Sequence, residues 1–233
     1  MPDMDSDGGK MDREFTLGGS MQFTAVIFDL DGVLVHTDHF HYLAWKKIAD
    51  EKNIEFNPTI NNRLRGVSRM ESLEIILERY AGTPLSDKEK EEMAETKNEY
   101  YKELLKTMKP TEVDMKVRQT LHHLKEKGIR LAVGSSSKNA KFILKQVELE
   151  DVFDAVSDGT NIRRSKPDPE VFLKAAEYLD VPPEECLVVE DADAGIAAAK
   201  NAGMKAAGIG EASHCKDADY GLHCFSELTA VVS

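Results

Sequence analysis

The sequence has few cysteines and no long apolar run, and both absences limit what the protein can be. Its 233 residues include three cysteines without a C-x-x-C pair, which argues against a disulfide framework or a cysteine-rich zinc site. No apolar run approaches the roughly 18 residues that span a bilayer. The formal net charge of −12 argues against general binding to nucleic acid or to an anionic membrane surface. We therefore expect a cytoplasmic protein with neither of these partners.

The first 20 residues differ in composition from the rest of the chain. Residues 1–20 are polar and glycine-rich, and they lack the apolar segment of a signal peptide. We interpret residues 1–20 as a leader or disordered tail, with Met21 as the natural start. Over the whole chain, hydrophobic residues make up 41% and charged residues 31%, which is typical of a folded globular protein.

Short apolar runs alternate with helical stretches along most of the chain. Strands buried on both faces are predicted at 23–29, 129–134, 153–157, 185–190 and 205–210. Helices are predicted near 114–127, 139–147, 169–179 and 193–201. This alternation predicts an α/β fold with a doubly wound, Rossmann-like parallel sheet.

One long segment breaks the alternation. Residues 37–111 contain no convincing strand, and Ser86 and Glu89 form a capping box that opens a long helix. Apolar residues recur at helical spacing at Leu73, Ile76, Leu77 and Tyr80. We expect an all-helical cap domain at 37–111, inserted after the first strand of a core domain formed by 21–36 and 112–233.

Polar residues follow four of the predicted strands. Asp29 and Asp31 project to the same side at the end of the first strand, and two close carboxylates need a cation or a proton between them. Residues 134–139 follow the second strand and offer N–H groups, hydroxyls and a lysine to an anion. Lys166 follows the third strand, and the fourth ends in Glu190, Asp191 and Asp193. Because ligands bind beyond the carboxyl ends of such strands, these four clusters predict one site.

These segments resemble the four motifs of the haloacid dehalogenase superfamily. The matching segments are Phe28–Val33, the serine after the second strand, Lys166-Pro167 and Glu190-Asp191. Within that superfamily, the helical insert resembles the cap of the β-phosphoglucomutase-like subgroup. The segments similar to that subgroup's own signatures are His41-x-x-x-Trp45, Arg65–Arg69, Lys97-Asn98 and Ser135-x-x-Lys138-Asn139. The chain departs from the subgroup pattern at His36 and Ala192.

The resemblance implies phosphoryl transfer through an aspartate. Asp29 would be the nucleophile that becomes an aspartyl-phosphate, and Asp31 would act as general acid and base on the sugar oxygen. Ser135 and Lys166 would hold the equatorial oxygens of the reacting phosphate.

The resemblance also implies a metal and a set of substrate contacts. Mg²⁺, which prefers oxygen ligands, would be held by Asp29, the main-chain carbonyl of Asp31 and Asp191, with Glu190 nearby. The implied substrate-binding residues are Thr37, His41, Trp45, Arg65, Gly66, Val67, Ser68, Arg69, Lys97, Ser136, Lys138 and Asn139.

Two polar residues of the insert lie on predicted apolar faces. His41 shares the helical spacing of Ala44, Trp45 and Ile48, and such a histidine is usually a satisfied core residue. It also follows Asp31 closely, where the insert begins, so a position facing the site is the alternative. Lys97 belongs to a stripe formed by Met93, Lys97, Tyr100, Leu104 and Met108. A lysine there is costly unless it meets a counter-charge or extends to solvent at the helix edge, and both alternatives stay open.

Three functions remain open from the sequence. The leading hypothesis is a mutase that interconverts β-D-glucose 1-phosphate and glucose 6-phosphate through glucose 1,6-bisphosphate. A bisphosphate needs a second anion site, for which Arg63, Arg65 and Arg69 are candidates; the alternative is a solvated basic face on an acidic protein. The alternatives are a sugar-phosphate phosphatase and a non-catalytic phosphosugar-binding protein, which would not need the Asp29 and Asp31 pair.

We expect a monomer that binds a small-molecule sugar phosphate.

Overall fold

A parallel six-stranded sheet lies at the centre of the computed structural model, which describes residues 23–64 and 68–232. The strands are β1 (Ala25–Phe28), β2 (Arg130–Gly134), β3 (Ala155–Ser157), β4 (Cys186–Glu190), β5 (Lys205–Ile209) and β6 (Tyr220–Leu222). Their order is β3-β2-β1-β4-β5-β6, with every neighbouring pair parallel. The strand order therefore reverses between β1 and β4, where open sheets of this kind bind their ligands.

Helices fill the connections between the strands. They are α1 (Asp38–Glu51), α2 (Pro58–Asn62), α3 (Arg69–Leu77), α4 (Asp87–Leu105), α5 (Met115–Glu126), α6 (Ala140–Gln146), α7 (Glu170–Leu179), α8 (Asp193–Asn201) and α9 (Leu228–Val231). Short 3₁₀ helices lie at Pro110–Glu112, Pro183–Glu185, Gly210–His214 and Phe225–Glu227. We call α1–α4 the cap, and the sheet with α5–α9 the core. None of the described helices is long and apolar enough to cross a membrane.

The two faces of the sheet carry separate apolar clusters. Phe28, Leu131 and Leu187 pack on one face with side chains from α5, α6 and α9. The neighbouring residues Ile27 and Val188 point to the other face and pack with α7 and α8. Because side chains alternate along a strand, these central strands read as continuous apolar runs. The predicted doubly wound α/β sheet is confirmed.

The differences from the predicted core are small and lie at the sheet edges. All five predicted strands are present, but β1 and β3 are shorter than their apolar runs. The sixth strand, β6, was missed because its three residues, Tyr-Gly-Leu, form no apolar run. Gly128 ends α5 as predicted, with a φ of +77° and a hydrogen bond from Ile129 N to Leu124 O of 3.1 Å.

The cap is helical throughout its described residues. At the start of α4, Ser86 N donates to Glu89 Oε2 at 2.8 Å, and Glu89 N donates back to Ser86 Oγ at 3.4 Å, as the predicted capping box requires. The predicted stripe on α4 is partly wrong, because Tyr101 and Leu105 are buried instead of Tyr100 and Leu104. Tyr101 and Leu105 follow Lys97 at intervals of four residues. The residues on the buried face of α4 therefore lie one position later in the sequence than predicted.

The second half of α4 packs on the core. Tyr101 and Leu105 belong to the same apolar cluster as Phe28. Asn139 Nδ2 donates to Asn98 Oδ1 at 3.3 Å, and Gln146 Nε2 donates to the Leu105 carbonyl at 3.3 Å. The cap therefore contacts both ends of α6, and the Asn139 contact lies next to the carboxyl end of β2.

Candidate active site

The chain turns sharply where β1 ends. Asp29 N donates to the carbonyl of Val189 on β4 at 2.9 Å, so the Asp29 side chain lies at the strand-order reversal. Gly32 has a φ of +86°, and a Cβ at this position would lie 2.0 Å from Asp191 Oδ2. Both the conformation and the close approach of Asp191 require glycine here.

Lys166 joins two carboxylates from different strands. Its ammonium group lies against Asp29 Oδ1 and Glu190 Oε1, and it also lies 4.7 Å above the centre of the Phe172 ring. Burial alone would lower the pKa of Lys166, but the charges of Asp29 and Glu190 outweigh it and raise that pKa. Lys166 therefore carries a fixed positive charge beside Asp29.

Glu190 is held inside the loop that follows β4. Its Oε2 accepts hydrogen bonds from Asp191 N at 3.0 Å and from Ala192 N at 3.1 Å. A Cβ at Gly195 would lie 1.9 Å from Glu190 Oε1, so the first turn of α8 has room for this carboxylate only because residue 195 is glycine. Burial raises the pKa of Glu190, and its hydrogen bonds fix the loop that carries Asp191.

Three carboxylates converge tightly enough to hold a metal ion. One oxygen each from Asp29, Glu190 and Asp191 lies within 4.8 Å of the others. Burial, followed by the charges of Asp29 and Glu190, raises the pKa of Asp191 to about 7. Like charges this close favour a bound cation, and an all-oxygen donor set suits Mg²⁺. The residues present therefore fit a divalent cation.

Asp31 is half-buried and lies close to Asp29. The Thr37 hydroxyl, which is itself buried, donates to Asp31 Oδ1. Burial, followed by the charge of Asp29, raises the pKa of Asp31 to about 7. A carboxyl group with such a pKa can both donate and accept a proton near neutral pH.

The loop after β2 lies at the same end of the sheet. Ser135 N donates to the Ser157 carbonyl at 3.0 Å, and Ser135 Oγ accepts from Ser137 N at 3.1 Å. Asn139 N donates to Ser137 Oγ at 3.2 Å. These bonds define a compact turn that carries the predicted residues Ser135, Ser136, Lys138 and Asn139.

The cap contributes a buried lysine to the region of Asp31. Lys97 is only 3% exposed, so the alternative of a lysine extending to solvent is wrong. Its Nζ lies 2.8 Å from His41 Nδ1, and 5.0 Å and 4.7 Å from the ring centres of Trp45 and Tyr101. Burial, followed by the charge of Arg69, lowers the pKa of Lys97 to about 7.

His41 and Tyr101 complete this cluster. Their rings stack at a centroid distance of 4.0 Å. Burial, followed by Lys97 and Arg69, holds the pKa of His41 well below its usual range, so the ring is neutral. The Tyr101 hydroxyl is buried close to Thr37 and Asp31 but has no partner of normal hydrogen-bond geometry among the described residues. Tyr101 was not predicted from the sequence, although its position four residues after Lys97 was available as a signal.

The arginines of the cap occupy different environments. Arg69 contacts Asn98 Oδ1 at 3.2 Å and Glu95 Oε2 at 3.4 Å, and Asn98 in turn bonds to Asn139 of the core. Arg63 instead forms a two-bond ion pair with Glu78, both at 2.7 Å, on the exposed surface. Arg63 thus matches the solvated-face alternative, whereas Arg69 lies on the side of the cap that meets the core.

Ser68, another predicted substrate residue, has a structural partner. It caps α3, with Ser68 N donating to Glu71 Oε2 at 2.8 Å and Glu71 N donating to Ser68 Oγ at 3.3 Å. The other predicted substrate residues of this loop, Arg65, Gly66 and Val67, lie outside the described residues, as does the predicted leader at 1–20.

Comparison with known proteins links this geometry to one family. Residues 23–203 match the family model of haloacid dehalogenase-like hydrolases. The chain is 43% identical to the β-phosphoglucomutase of Bacillus subtilis over 206 residues, which cover 88% of this chain and 91% of that protein. It is 33% identical to a phosphorylated carbohydrates phosphatase of Thermotoga maritima, over 78% of this chain and 82% of that protein. The crystal structure of β-phosphoglucomutase from Clostridium difficile superposes with a TM-score of 0.79 at 35% identity, covering 90% of this chain and 97% of that one.

Proposed function

The chain belongs to the haloacid dehalogenase-like hydrolase family, and we propose that it is a Mg²⁺-dependent β-phosphoglucomutase that interconverts β-D-glucose 1-phosphate and glucose 6-phosphate. The observation that carries the proposal is the continuous contact from Arg69 of the cap, through Asn98, to Asn139 of the core. This contact holds the Arg69 guanidinium group on the side of the cap that meets the core, and the non-reacting phosphate of a bisphosphate needs such a cation. The likeness to the β-phosphoglucomutase of Bacillus subtilis supports the same activity.

The proposed reaction uses Asp29 and Asp31 in turn. A phosphoryl group on Asp29 passes to the 6-hydroxyl of glucose 1-phosphate, so the bond from phosphorus to Asp29 breaks as the bond to the sugar oxygen forms. Asp31 takes the hydroxyl proton. After the bisphosphate turns round, Asp29 attacks its 1-phosphate, Asp31 returns a proton to the leaving oxygen, and glucose 6-phosphate is released.

The remaining residues of the site hold charge in place. Lys166, fixed between Asp29 and Glu190, and Ser135 would bind the equatorial oxygens of the transferring group. Mg²⁺ would be held by Asp29, the Asp31 carbonyl and Asp191, and it would neutralise the anionic phosphate that the anionic nucleophile must approach.

A sugar-phosphate phosphatase is the second candidate, and two observations favour it. Arg63 is paired with Glu78 and Ser68 is engaged as a helix cap, so fewer described groups of the cap are free to bind a second phosphate than the mutase hypothesis expects. The 33% identity to the phosphorylated carbohydrates phosphatase is consistent with this alternative.

Phosphorus NMR separates the two activities. The purified protein is incubated with Mg²⁺, β-D-glucose 1-phosphate and a trace of glucose 1,6-bisphosphate. A mutase produces the signal of glucose 6-phosphate, whereas a phosphatase produces inorganic phosphate. Accumulation of inorganic phosphate without glucose 6-phosphate would contradict the mutase proposal, and α-D-glucose 1-phosphate serves as the control for the anomer.

A further inference from the structure

Arg118 of α5 binds three main-chain carbonyl groups from two other parts of the chain. Its Nη2 donates to the Pro110 carbonyl at 2.8 Å and to the Val147 carbonyl at 2.6 Å, and its Nη1 donates to the Glu148 carbonyl at 3.4 Å. Residues 106–114, which we call the linker, join the last helix of the cap to α5 and include Pro110. Val147 and Glu148 directly follow α6. Arg118 therefore connects the linker to the end of α6.

The carboxyl end of α6 explains why a guanidinium group is held there. Carbonyl groups at the end of a helix have no partner within the helix, and the negative end of the helix dipole favours a cation. Val147 caps α6, and Glu148 is the next residue. Because a guanidinium group has five N–H donors in a planar fork, Arg118 can satisfy both of these carbonyls and still reach Pro110.

A second side chain of the same region holds the end of the cap. Gln146, the last residue of α6, donates from Nε2 to the carbonyl of Leu105, the last residue of α4, at 3.3 Å. Met108 and Val113 of the linker are buried in the apolar cluster of the core. The chain that leaves the cap is thus held at its start by Gln146 and further along by Arg118, both at the same end of α6.

The opposite end of α6 bonds to the Arg69 side of the cap. Asn139, the residue before α6, donates to Asn98 of α4, which also contacts Arg69. The seven residues of α6 separate its two ends by about 10 Å, at 1.5 Å per residue. Since α4 is bonded to both ends of this short helix, a shift at the linker end changes where Asn98 and Arg69 lie relative to the core.

We propose that Arg118 is a positioning residue that sets the position of the cap on the core, through the linker and α6. Its guanidinium group is engaged by three main-chain carbonyls, so it acts through the position of α4 and not by contact with the substrate. This inference rests on the proposed function only in the choice of the sugar phosphate used as substrate.

The residues that bind the reacting phosphate should not depend on Arg118. Ser135 N donates to the Ser157 carbonyl of β3 at 3.0 Å, and Lys166 is held between two buried carboxylates. These contacts belong to the sheet and its strand-end loops. Loss of Arg118 should therefore affect a sugar phosphate that needs the cap, and it should spare phosphorylation of Asp29 by the small donor acetyl phosphate.

Arg130 offers a matched control for Arg118. Its guanidinium group also donates to a main-chain carbonyl at the end of a helix, that of Leu179 in α7. Arg130 begins β2, however, whereas the loop that leads to α6 follows the other end of that strand. Arg118→Met and Arg130→Met therefore remove the same charge and the same kind of contact, and only the first releases the linker.

The first experiment measures kcat and KM for β-D-glucose 1-phosphate, together with the rate of acetyl phosphate hydrolysis. It compares wild type, Arg118→Met, Arg118→Lys and Arg130→Met. Arg118→Met should raise KM about tenfold, as expected for loss of one charge-assisted hydrogen bond, and leave acetyl phosphate hydrolysis unchanged. Arg118→Lys, which keeps a cation at the helix end, should lie between wild type and Arg118→Met, and Arg130→Met should match wild type. Equal losses with both substrates would indicate general damage to the active site and would contradict the inference.

The second experiment follows the position of the cap without turnover. The side-chain amide NMR signals of Asn98 and Asn139 are recorded, together with hydrogen exchange of the linker amides. In Arg118→Met both side-chain signals should shift, and the linker amides should exchange faster because the linker opens more often. If Arg118→Met matches Arg130→Met in these signals, in exchange and in KM, the inference is overturned. If wild type does not convert β-D-glucose 1-phosphate, the proposed function fails, and the NMR and exchange measurements still decide the role of Arg118.

Discussion

The core and the cap bring opposite charges to the place where they meet. The core supplies carboxylates at the strand ends, and burial raises the pKa of Asp31 and of Asp191 to about 7. The cap supplies Lys97, whose pKa burial lowers to about 7, and Arg69. The core and the cap therefore each bury charged groups, which costs desolvation free energy when no opposite charge is present. The core thus presents buried carboxylates, and the cap a buried lysine and Arg69, where the two regions meet.

The ion pairs of the two regions differ in the same way. Pairs on the cap, such as Arg63 with Glu78 and Arg79 with Glu55, have side chains that are about half exposed, and such pairs contribute little to stability. The pair of Lys166 with Asp29 and Glu190 is nearly buried, so loss of one partner leaves an uncompensated charge. Substitution of an exposed charge on the cap should therefore have a small effect, whereas substitution of a charge where the cap meets the core should have a large one.

Asp29→Asn should cause the largest effect, the complete loss of turnover. The amide is a very poor nucleophile, and it also removes one negative charge from the group that fits Mg²⁺. Steady-state formation of glucose 6-phosphate by the purified variant is the measurement. Asp193→Asn is the control, because Asp193 lies in the same strand-end cluster but is exposed. Clear turnover in Asp29→Asn would remove Asp29 from the nucleophilic role.

Asp31→Asn should reduce kcat by about 10²–10⁴-fold, the usual contribution of a general acid–base group. The fold should persist, since the amide oxygen can still accept the Thr37 hydroxyl hydrogen bond. The measurement is kcat for β-D-glucose 1-phosphate, with circular dichroism as the check on folding. A loss of less than tenfold would contradict the acid–base assignment.

Lys97→Met tests whether the cap keeps a costly charge for function. Removal of this buried charge should stabilise the protein at pH 7 by about 1–4 kcal/mol, while kcat/KM for the sugar phosphate falls. The folded-state pKa of about 7 lies below the ordinary 10.5, so between these values the unfolded chain binds more protons. The Lys97 contribution to stability therefore rises with pH across this range, and the advantage of the variant should shrink.

The measurement for Lys97 is urea unfolding at pH 7 and at pH 9.5. Lys88→Met is the matched control, because Lys88 is on the same helix and its side chain is 84% exposed. An equal stability difference between wild type and Lys97→Met at both pH values would show that Lys97 does not titrate in this range.

Arg69→Ala should give the smallest of the four effects, a loss of about 1.5–3 kcal/mol in binding of glucose 1,6-bisphosphate. The loss in kcat/KM should be larger for β-D-glucose 1-phosphate than for acetyl phosphate, which has no second phosphate. Arg63→Ala is the control, since Arg63 pairs with Glu78 on the exposed surface. If the two variants behave alike, the cap holds no second anion at Arg69 and the phosphatase alternative gains support.

The two regions also differ in how far the sequence predicts them. The strand-end residues of the core could be found because Asp29 directly follows a recognisable apolar run, Glu190 ends another, and Lys166 stands before Pro167 in the segment that follows the third run. In the cap, the contact between His41 and Lys97 joins residues 56 positions apart, and no local pattern encodes it. The pairing of Arg63 with Glu78 likewise depends on how α2 and α3 are oriented. Helix periodicity located the buried face of α4 to within one position, which was not enough to identify Tyr101.

The aromatic cluster around Lys97 also provides an intrinsic fluorescence probe in the cap. Trp45 is the only tryptophan in the chain, it is 3% exposed, and its ring centre lies 5.0 Å from the Lys97 ammonium group. Tryptophan emission responds to a charge placed this close to the ring. The tryptophan emission of the protein therefore reports on a single location, and a change in the ionisation of Lys97 or in the position of α4 should alter its wavelength and intensity without any added label.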